Sequence, residues 1–253
     1  VTADRVIVGF VDDHHWSASF GMSLRDMYLR DISAECRIIR AGGVELRKVA
    51  GTMGVADGRN ELVAEFLDRT DGDWLFMVDT DMGFDPDTVD RLIASADPVE
   101  RPVVGGLCFA LRHSGSGPQR SETFGIVPTV YAWEDLPDES GFMPLPDYPR
   151  DTIFQAGGTG AACLLIHRRA LATIRKAQGD VWFDPIKHPT AAGGKPRGFS
   201  EDLSFCVRLA AAGIPLHVDS RVKTSHHKGP LFLTERMFLD QQARAVNREL
   251  VPE

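Results

Sequence analysis

The sequence has no run near the ~20 consecutive apolar residues that a membrane-crossing helix needs, and we expect no membrane-spanning segment. It has only four cysteines, Cys36, Cys108, Cys163 and Cys206, with neither CxxC nor zinc-knuckle spacing. That scatter speaks against a redox pair or a zinc ribbon and predicts reduced, mostly buried thiols. Positive charge is in deficit, 28 Lys and Arg against 36 Asp and Glu for a formal −8. A surface that grips a polyanion along its whole length is therefore disfavoured, while an anionic ligand held locally through a metal is not. The sequence also lacks a Rossmann GxGxxG and a P-loop: Gly157-Gly158-Thr159-Gly160 has neither the spacing nor the terminal Lys-Ser/Thr. Internal repeats and low-complexity tracts are missing too. The opening residues, Val1 to Phe10, reach a strand too early for a signal peptide, so a cytoplasmic location is expected.

What is present is enough for a large core: 253 residues, 43% hydrophobic and 25% charged, with a mean hydropathy of −0.14. Apolar patterning alternates between short β-branched runs and helical stripes, which predicts a single α/β domain. Strands are expected at Arg5 to Val11, Val44 to Val49, Trp74 to Val78, Val103 to Leu111 and Ala161 to Ile166. Short extended pieces are expected at Leu216 to Val218 and Val222 to His226. Helices are expected at Ser17 to about Arg40, Gly58 to Arg69, from Pro86 through Ile93 with Asp85 as cap, Arg168 to Lys176 and Leu203 to Ala212. Residues 112 to 152, rich in proline and glycine, read as an excursion or small β-rich insertion, and 184 to 198 as a second loop carrying Gly193, Gly194 and Gly198. We place residues 1 to 232 in the main domain and 233 to 253 in a C-terminal helical tail.

The acidic motifs carry the chemistry. Asp79-Thr80-Asp81 follows the most apolar strand without a spacer; in a still-extended segment both carboxylates face one pocket and can hold Mg²⁺ or Mn²⁺ against a diphosphate. The plainer alternative is a solvated strand end. Glu201-Asp202 can supply a general base, or it can cap the helix that follows. In His226-His227-Lys228-Gly229, adjacent strand residues point to opposite sides, so at most one histidine can join an ion held by Asp81. A surface or core histidine is the competing reading. Arg59 can reach a phosphate or orient an acidic site residue, against a plain solvent-exposed arginine. Trp133 and Trp182 can stack on a sugar face or serve packing alone.

In their order along the chain, Arg59-Asn60, Trp74 to Asp81, Gly157 to Gly160 with Leu164 to Ile166, Glu201-Asp202 and Val222 to His226 resemble the GT-A glycosyltransferases. The likeness is to family-2-like enzymes and related soluble bacterial or bacteriophage members, and it spans residues 5 to 229. It implies a Rossmann-like domain with a mainly parallel sheet that binds a nucleotide diphosphate sugar, UDP-linked by preference, across the carboxyl ends of its strands. It implies Asp79 on the donor ribose or sugar and as a second ligand beside Asp81 for Mn²⁺ or Mg²⁺, with His226 as the further ligand and His227 the fallback. Arg59 would approach the donor, Asp202 would be the base of an inverting transfer, and Glu201 would position the acceptor. Protein, cell-envelope glycan and nucleic acid acceptors are all compatible with a phage-like setting, in which the location would be the host-cell cytoplasm. The absence of a Gln-x-x-Arg-Trp stretch sets the chain apart from processive synthases of that family. The alternatives are a sugar-nucleotide nucleotidyltransferase and a noncatalytic nucleotide-sugar binding module.

Overall fold

A computed structural model describes residues 4–12, 14–34, 36–39, 45–49, 54–114, 123–134, 141–188 and 197–249. Asp13, Val44, Gly51, Gly193 and Gly194, and parts of both loops singled out above, lie outside the described residues. The first half of the chain forms β1 (Val6–Asp12), α1 (Ala18–Ser33), β2 (Glu45–Val49), α2 (Val55–Arg69), β3 (Trp74–Val78), β4 (Met82–Phe84), α3 (Thr88–Ser95) and β5 (Val103–Leu107). Small strands follow: β6 (Phe109–Ser114), β7 (Thr123–Pro128), β8 (Val130–Glu134), β9 (Gly141–Pro144), β10 (Ile153–Gln155) and β11 (Gly158–Thr159). The remainder is β12 (Cys163–His167), α4 (Arg168–Gln178), β13 (Lys187–His188), β14 (Arg197–Gly198), α5 (Glu201–Ala211), β15 (Leu216–Lys228), β16 (Leu231–Leu233) and α6 (Glu235–Glu249).

The central sheet runs β10-β15-β5-β12-β3-β1-β2. β1 is parallel to β2 and β3, and β15 to β5, whereas β12 is antiparallel to both β3 and β5 and β10 is antiparallel to β15. This is the mixed, mostly parallel α/β sheet expected. Strand alternation sorts its buried side chains onto two faces. Ile7, Leu75, Met77, Leu164 and Ile166 pack with Leu62 and Phe66 of α2, Leu171 of α4 and Phe205 of α5. Val6, Val8, Phe10, Trp74, Phe76 and Leu165 pack on the other side with Phe20 and Leu24 of α1 and Leu92 of α3. A third cluster joins Phe109, Tyr148 and Val218 to Leu233 and Phe238, so α6 is docked on the body of the protein. Gln241 fastens it further, its side chain bridging the backbone N–H and C=O of Ile126 at 2.8 and 3.1 Å.

Several local expectations change. α1 stops at Ser33 because the carboxylate of Asp31 takes the backbone N–H groups of Arg37, Ile38 and Ile39, turning the chain before Arg40. α3 starts at Thr88 rather than at Pro86: Asp85 closes a turn through its carbonyl to the Thr88 N–H at 3.1 Å instead of capping with its side chain. The run from Val103 to Leu111 is two strands pairing with different partners. The two short pieces expected after Leu216 are one 13-residue strand. It pairs with β5 and β10 at its start, shifts register between Asp219 and Lys223, and leaves the central sheet to pair with β4 and β16. The four cysteines form no disulfide, and all but Cys36 are buried.

Candidate active site

The parallel strands deliver their carboxyl ends to one edge, where ligands of open α/β sheets gather. Asp79 follows the last residue of β3 there. Its continuation is not extended as the sequence reading supposed: the Met82 N–H returns to the Asp79 carbonyl at 3.1 Å, closing a turn over Asp79-Thr80-Asp81. The alternation rule therefore does not apply, and the two carboxylates take separate partners.

Asp79 faces Arg59. This arginine lies in the first half of α2, with a side chain only 3% exposed, so the solvent-exposed alternative is excluded. One guanidinium nitrogen donates to Asp79 Oδ1 at 2.8 Å, and the other serves Glu201 Oε1 at 3.3 Å together with Asp202 Oδ1. Burial would lower the pKa of Arg59, but Asp79, Asp202 and Glu201 outweigh it and keep the group charged. Its plane also lies 5.6 Å from the Phe183 ring centroid. The neighbouring Asn60 holds that ring in place, accepting from the Phe183 N–H at 2.8 Å and donating to Asp184 Oδ1 at 2.5 Å.

Glu201 and Asp202 open α5, but Ser200 is the cap: its hydroxyl accepts from the Leu203 N–H at 3.4 Å. The two carboxylates are thereby left for Arg59, in a first turn that also favours negative charge. Burial raises the Asp202 pKa above its ordinary value; Arg59 pulls it down, and Glu201 and Asp79 push it up again. A carboxylate tuned upward in this way is better matched to accepting a proton near neutrality.

Asp81 meets β15. Met82 is in register with His226, and the His227 N–H donates to the Asp81 carbonyl at 2.8 Å, which pins the turn to the strand. His226 Nε2 lies 3.1 Å from Asp81 Oδ2, and Lys228 Nζ lies 2.7 Å from the same oxygen. His227 points the other way and stacks on Phe232, ring centroids 4.5 Å apart. For Asp81, burial would raise the pKa, but hydrogen bonds from His226 and Lys228 prevail and hold it at about 2.

Asp81 and His226 together offer a divalent cation one carboxylate oxygen and one imidazole nitrogen. His226 Nδ1 is 2.7 Å from the Phe109 carbonyl, which can only accept, so Nδ1 carries the hydrogen. With Nδ1 committed, His226 Nε2 and Asp81 Oδ2, 3.1 Å apart, are the two atoms that can face a cation. Among the described residues, no group of three His, Cys, Asp or Glu side chains converges as a metal site. The pair Asp81–His226 is what the structure assembles, with Asp79 turned toward Arg59.

Other expected features resolve as packing. Gly158-Thr159 is a strand of a small sheet with β8 and β9, and a Cβ on Gly157 would come within 2.6 Å of the Trp133 backbone nitrogen, so glycine there serves close approach of two chains. Trp182 is fully buried, its indole N–H donating to the Leu171 carbonyl at 2.9 Å. Trp133 is 41% exposed beside Phe142. Burial pushes the Cys108 thiol up to about 12, leaving it inert as a nucleophile at neutral pH. Two groups escaped the sequence reading. Lys228 was legible through the same alternation that separates His226 from His227; the Phe109 carbonyl, a backbone group, had no signal. At the end of β1, the buried Asp12 pairs with Arg47 and accepts from the His14 N–H at 2.7 Å, beside the half-exposed Trp16.

No family model matches the sequence, and no curated protein is detectably similar to it. Among solved structures, A197 from STIV aligns with a TM-score of 0.50 at 16% identity, covering 92% of this chain and 91% of that one. GalNAc-T7, solved with UDP, GalNAc and Mn²⁺, aligns with a TM-score of 0.51 at 11% identity over 89% of this chain, which spans 44% of the length of that protein. Among the described residues, no helix is long and apolar enough to cross a membrane. The sheet order, its carboxyl-edge acids and these two likenesses together give the chain a GT-A-like α/β fold.

Proposed function

We propose that this protein is a glycosyltransferase that moves a sugar from a nucleotide diphosphate sugar, UDP-linked by preference, to an acceptor hydroxyl with inversion. The observation that carries the reading is the pairing of Asp81 with a His226 whose Nδ1 is already committed to the Phe109 carbonyl. That leaves a carboxylate oxygen and imidazole Nε2 converging at the carboxyl edge of a GT-A-like sheet.

In this reading Asp81 and His226 hold Mn²⁺ or Mg²⁺, which when bound neutralises charge on the departing diphosphate. Asp79, fixed by Arg59, meets the donor ribose or sugar. Trp16 and the Asp12–Arg47 pair offer a flat ring and polar partners for the base. Asp202 takes the acceptor proton as the hydroxyl oxygen bonds to C1, while the bond from C1 to the diphosphate oxygen breaks and its electron pair leaves with the nucleoside diphosphate. Glu201 steadies the acceptor from the same helical turn. Arg59 orients the three carboxylates before substrate arrives.

A panel of nucleotide sugars with and without Mn²⁺, followed by thermal shift and then by product analysis, tests the reading. Metal-dependent stabilisation by a nucleotide sugar and release of nucleoside diphosphate are expected. Release of pyrophosphate would instead identify a nucleotidyltransferase, and binding without turnover on a broad acceptor panel a noncatalytic module.

A further inference from the structure

Asp81 Oδ2 is claimed twice, by His226 Nε2 at 3.1 Å and by Lys228 Nζ at 2.7 Å. His226 Nδ1 is taken by the Phe109 carbonyl, so Nε2 is the ring atom that faces the oxygen Lys228 holds. The Lys228 ammonium stands on the carboxylate oxygen that a bound cation would use. Lys228 is suited to doing so reversibly. It is the last residue of β15, two residues beyond His226 and hence on the same strand face. Its side chain is 47% exposed. The hairpin turn after it begins at Gly229, whose φ of +59° is the left-handed conformation that two-residue hairpins require. Beyond the turn, Leu231 and Phe232 are themselves exposed, so no packed core restrains the tip. An ammonium on a four-carbon flexible stem, in an ion pair this open to water, is held weakly.

We infer that Lys228 is a tethered competitor for the divalent cation: its ammonium occupies Asp81 Oδ2 in the metal-free protein and must be displaced from it before the metal binds there. This rests on the proposed reading of Asp81 and His226 as metal ligands and adds a residue that opposes, rather than assists, the first binding step. The ammonium and a divalent ion cannot share Asp81 Oδ2 without bringing like charges together, so a metal ion bound at that oxygen displaces the lysine.

The test is Mn²⁺ binding to the full chain without nucleotide, read by loss of the free-ion electron paramagnetic resonance signal and by calorimetry. Wild type is compared with Lys228→Met, Lys228→Gln and Lys228→Arg. Lys228→Met keeps the apolar stem without the charge and should bind Mn²⁺ about fivefold more tightly, the equilibrium equivalent of an exposed ion pair. Lys228→Gln should follow it, and Lys228→Arg should stay near wild type. Equal or weaker Mn²⁺ affinity in Lys228→Met overturns the inference while leaving the metal site standing. The same holds if that variant loses affinity only for a nucleoside diphosphate, which would make Lys228 a ligand of the donor. Failure of wild type and variants alike to bind millimolar Mn²⁺ rejects the metal reading of Asp81 and His226, and this inference with it.

Discussion

Asp79 and Asp81 are two residues apart, yet they anchor regions built on opposite plans. Around Asp79, a single guanidinium at 3% exposure serves three carboxylates that are themselves 26–32% exposed. Around Asp81, one carboxylate oxygen is shared by an imidazole and by an ammonium that is 47% exposed. The first region sits between α2, β3 and the start of α5 and cannot be rearranged without stranding a buried charge. The second sits where β15 has left the central sheet for a short hairpin, and there one cation can replace another at little cost. In the proposed reading the difference separates two tasks: a fixed frame around the base Asp202, and an adaptable pair for a cation.

Breaking the frame at its chemical end should give the largest change. Asp202→Asn, nearly isosteric, is expected to lower kcat by about 10²–10⁴, the usual worth of a general base, with donor affinity in calorimetry close to wild type. Normal turnover would remove Asp202 from the base role. The pH profile sharpens the same point: Asp202 acts ionised and its pKa is raised above 3.8, so kcat/KM should rise with pH through a midpoint above that value. An acid limb at or below it would show that Asp202 does not control the rate.

Breaking the frame at its centre tests stability instead. Arg59→Met leaves Asp79, Glu201 and Asp202, 26–32% exposed, without their shared partner and should cost more in urea unfolding than the ~1 kcal/mol of an exposed pair and less than the ~3–5 kcal/mol of a fully buried one. Arg59→Lys should recover only part of it, since one ammonium cannot reproduce the forked contacts. A loss under 1 kcal/mol in Arg59→Met, about what an exposed pair is worth, would mean the cluster is solvated rather than buried.

The adaptable pair is probed next. His226→Ala should weaken Mn²⁺ binding by about 100-fold, in the upper range for disturbing a metal centre, while His227→Ala, whose ring stacks on Phe232, should stay within about twofold. Equal effects of the two would contradict the strand alternation that separates them.

The smallest expected effect is on acid stability. The Asp81 pKa falls from 3.8 to about 2 on folding, so its contribution is complete above the unfolded value and is lost as pH drops between the two. Linkage over that interval corresponds to about 2.4 kcal/mol, and solvent screening of a side chain 32% exposed reduces it to about 1 kcal/mol. Metal-free wild type should therefore lose about 1 kcal/mol more than Asp81→Asn between pH 4 and pH 2. Parallel curves would indicate that the contacts of Asp81 with His226 and Lys228 carry no net energy.

The sequence by itself determined where the main strands and helices lie and which faces they bury, though not all of their boundaries. Trp74 to Val78 is apolar throughout because it is covered on both sides, and each of its five residues is buried. Alternation along β15 decides that His226 and His227 diverge, whatever else surrounds them. These properties are local: periodicity is written into neighbouring residues and needs no knowledge of the rest of the chain. Only the tertiary structure decided which acid meets which base. Arg59 reaches Asp202 across 143 positions because α2 and α5 bring their ends to one sheet edge, and Asp81 reaches His226 across 145 because β15 outruns the sheet. The turn that separates Asp79 from Asp81 is made by one backbone hydrogen bond of the kind any residue can form, so the side-chain pattern carried no sign of it.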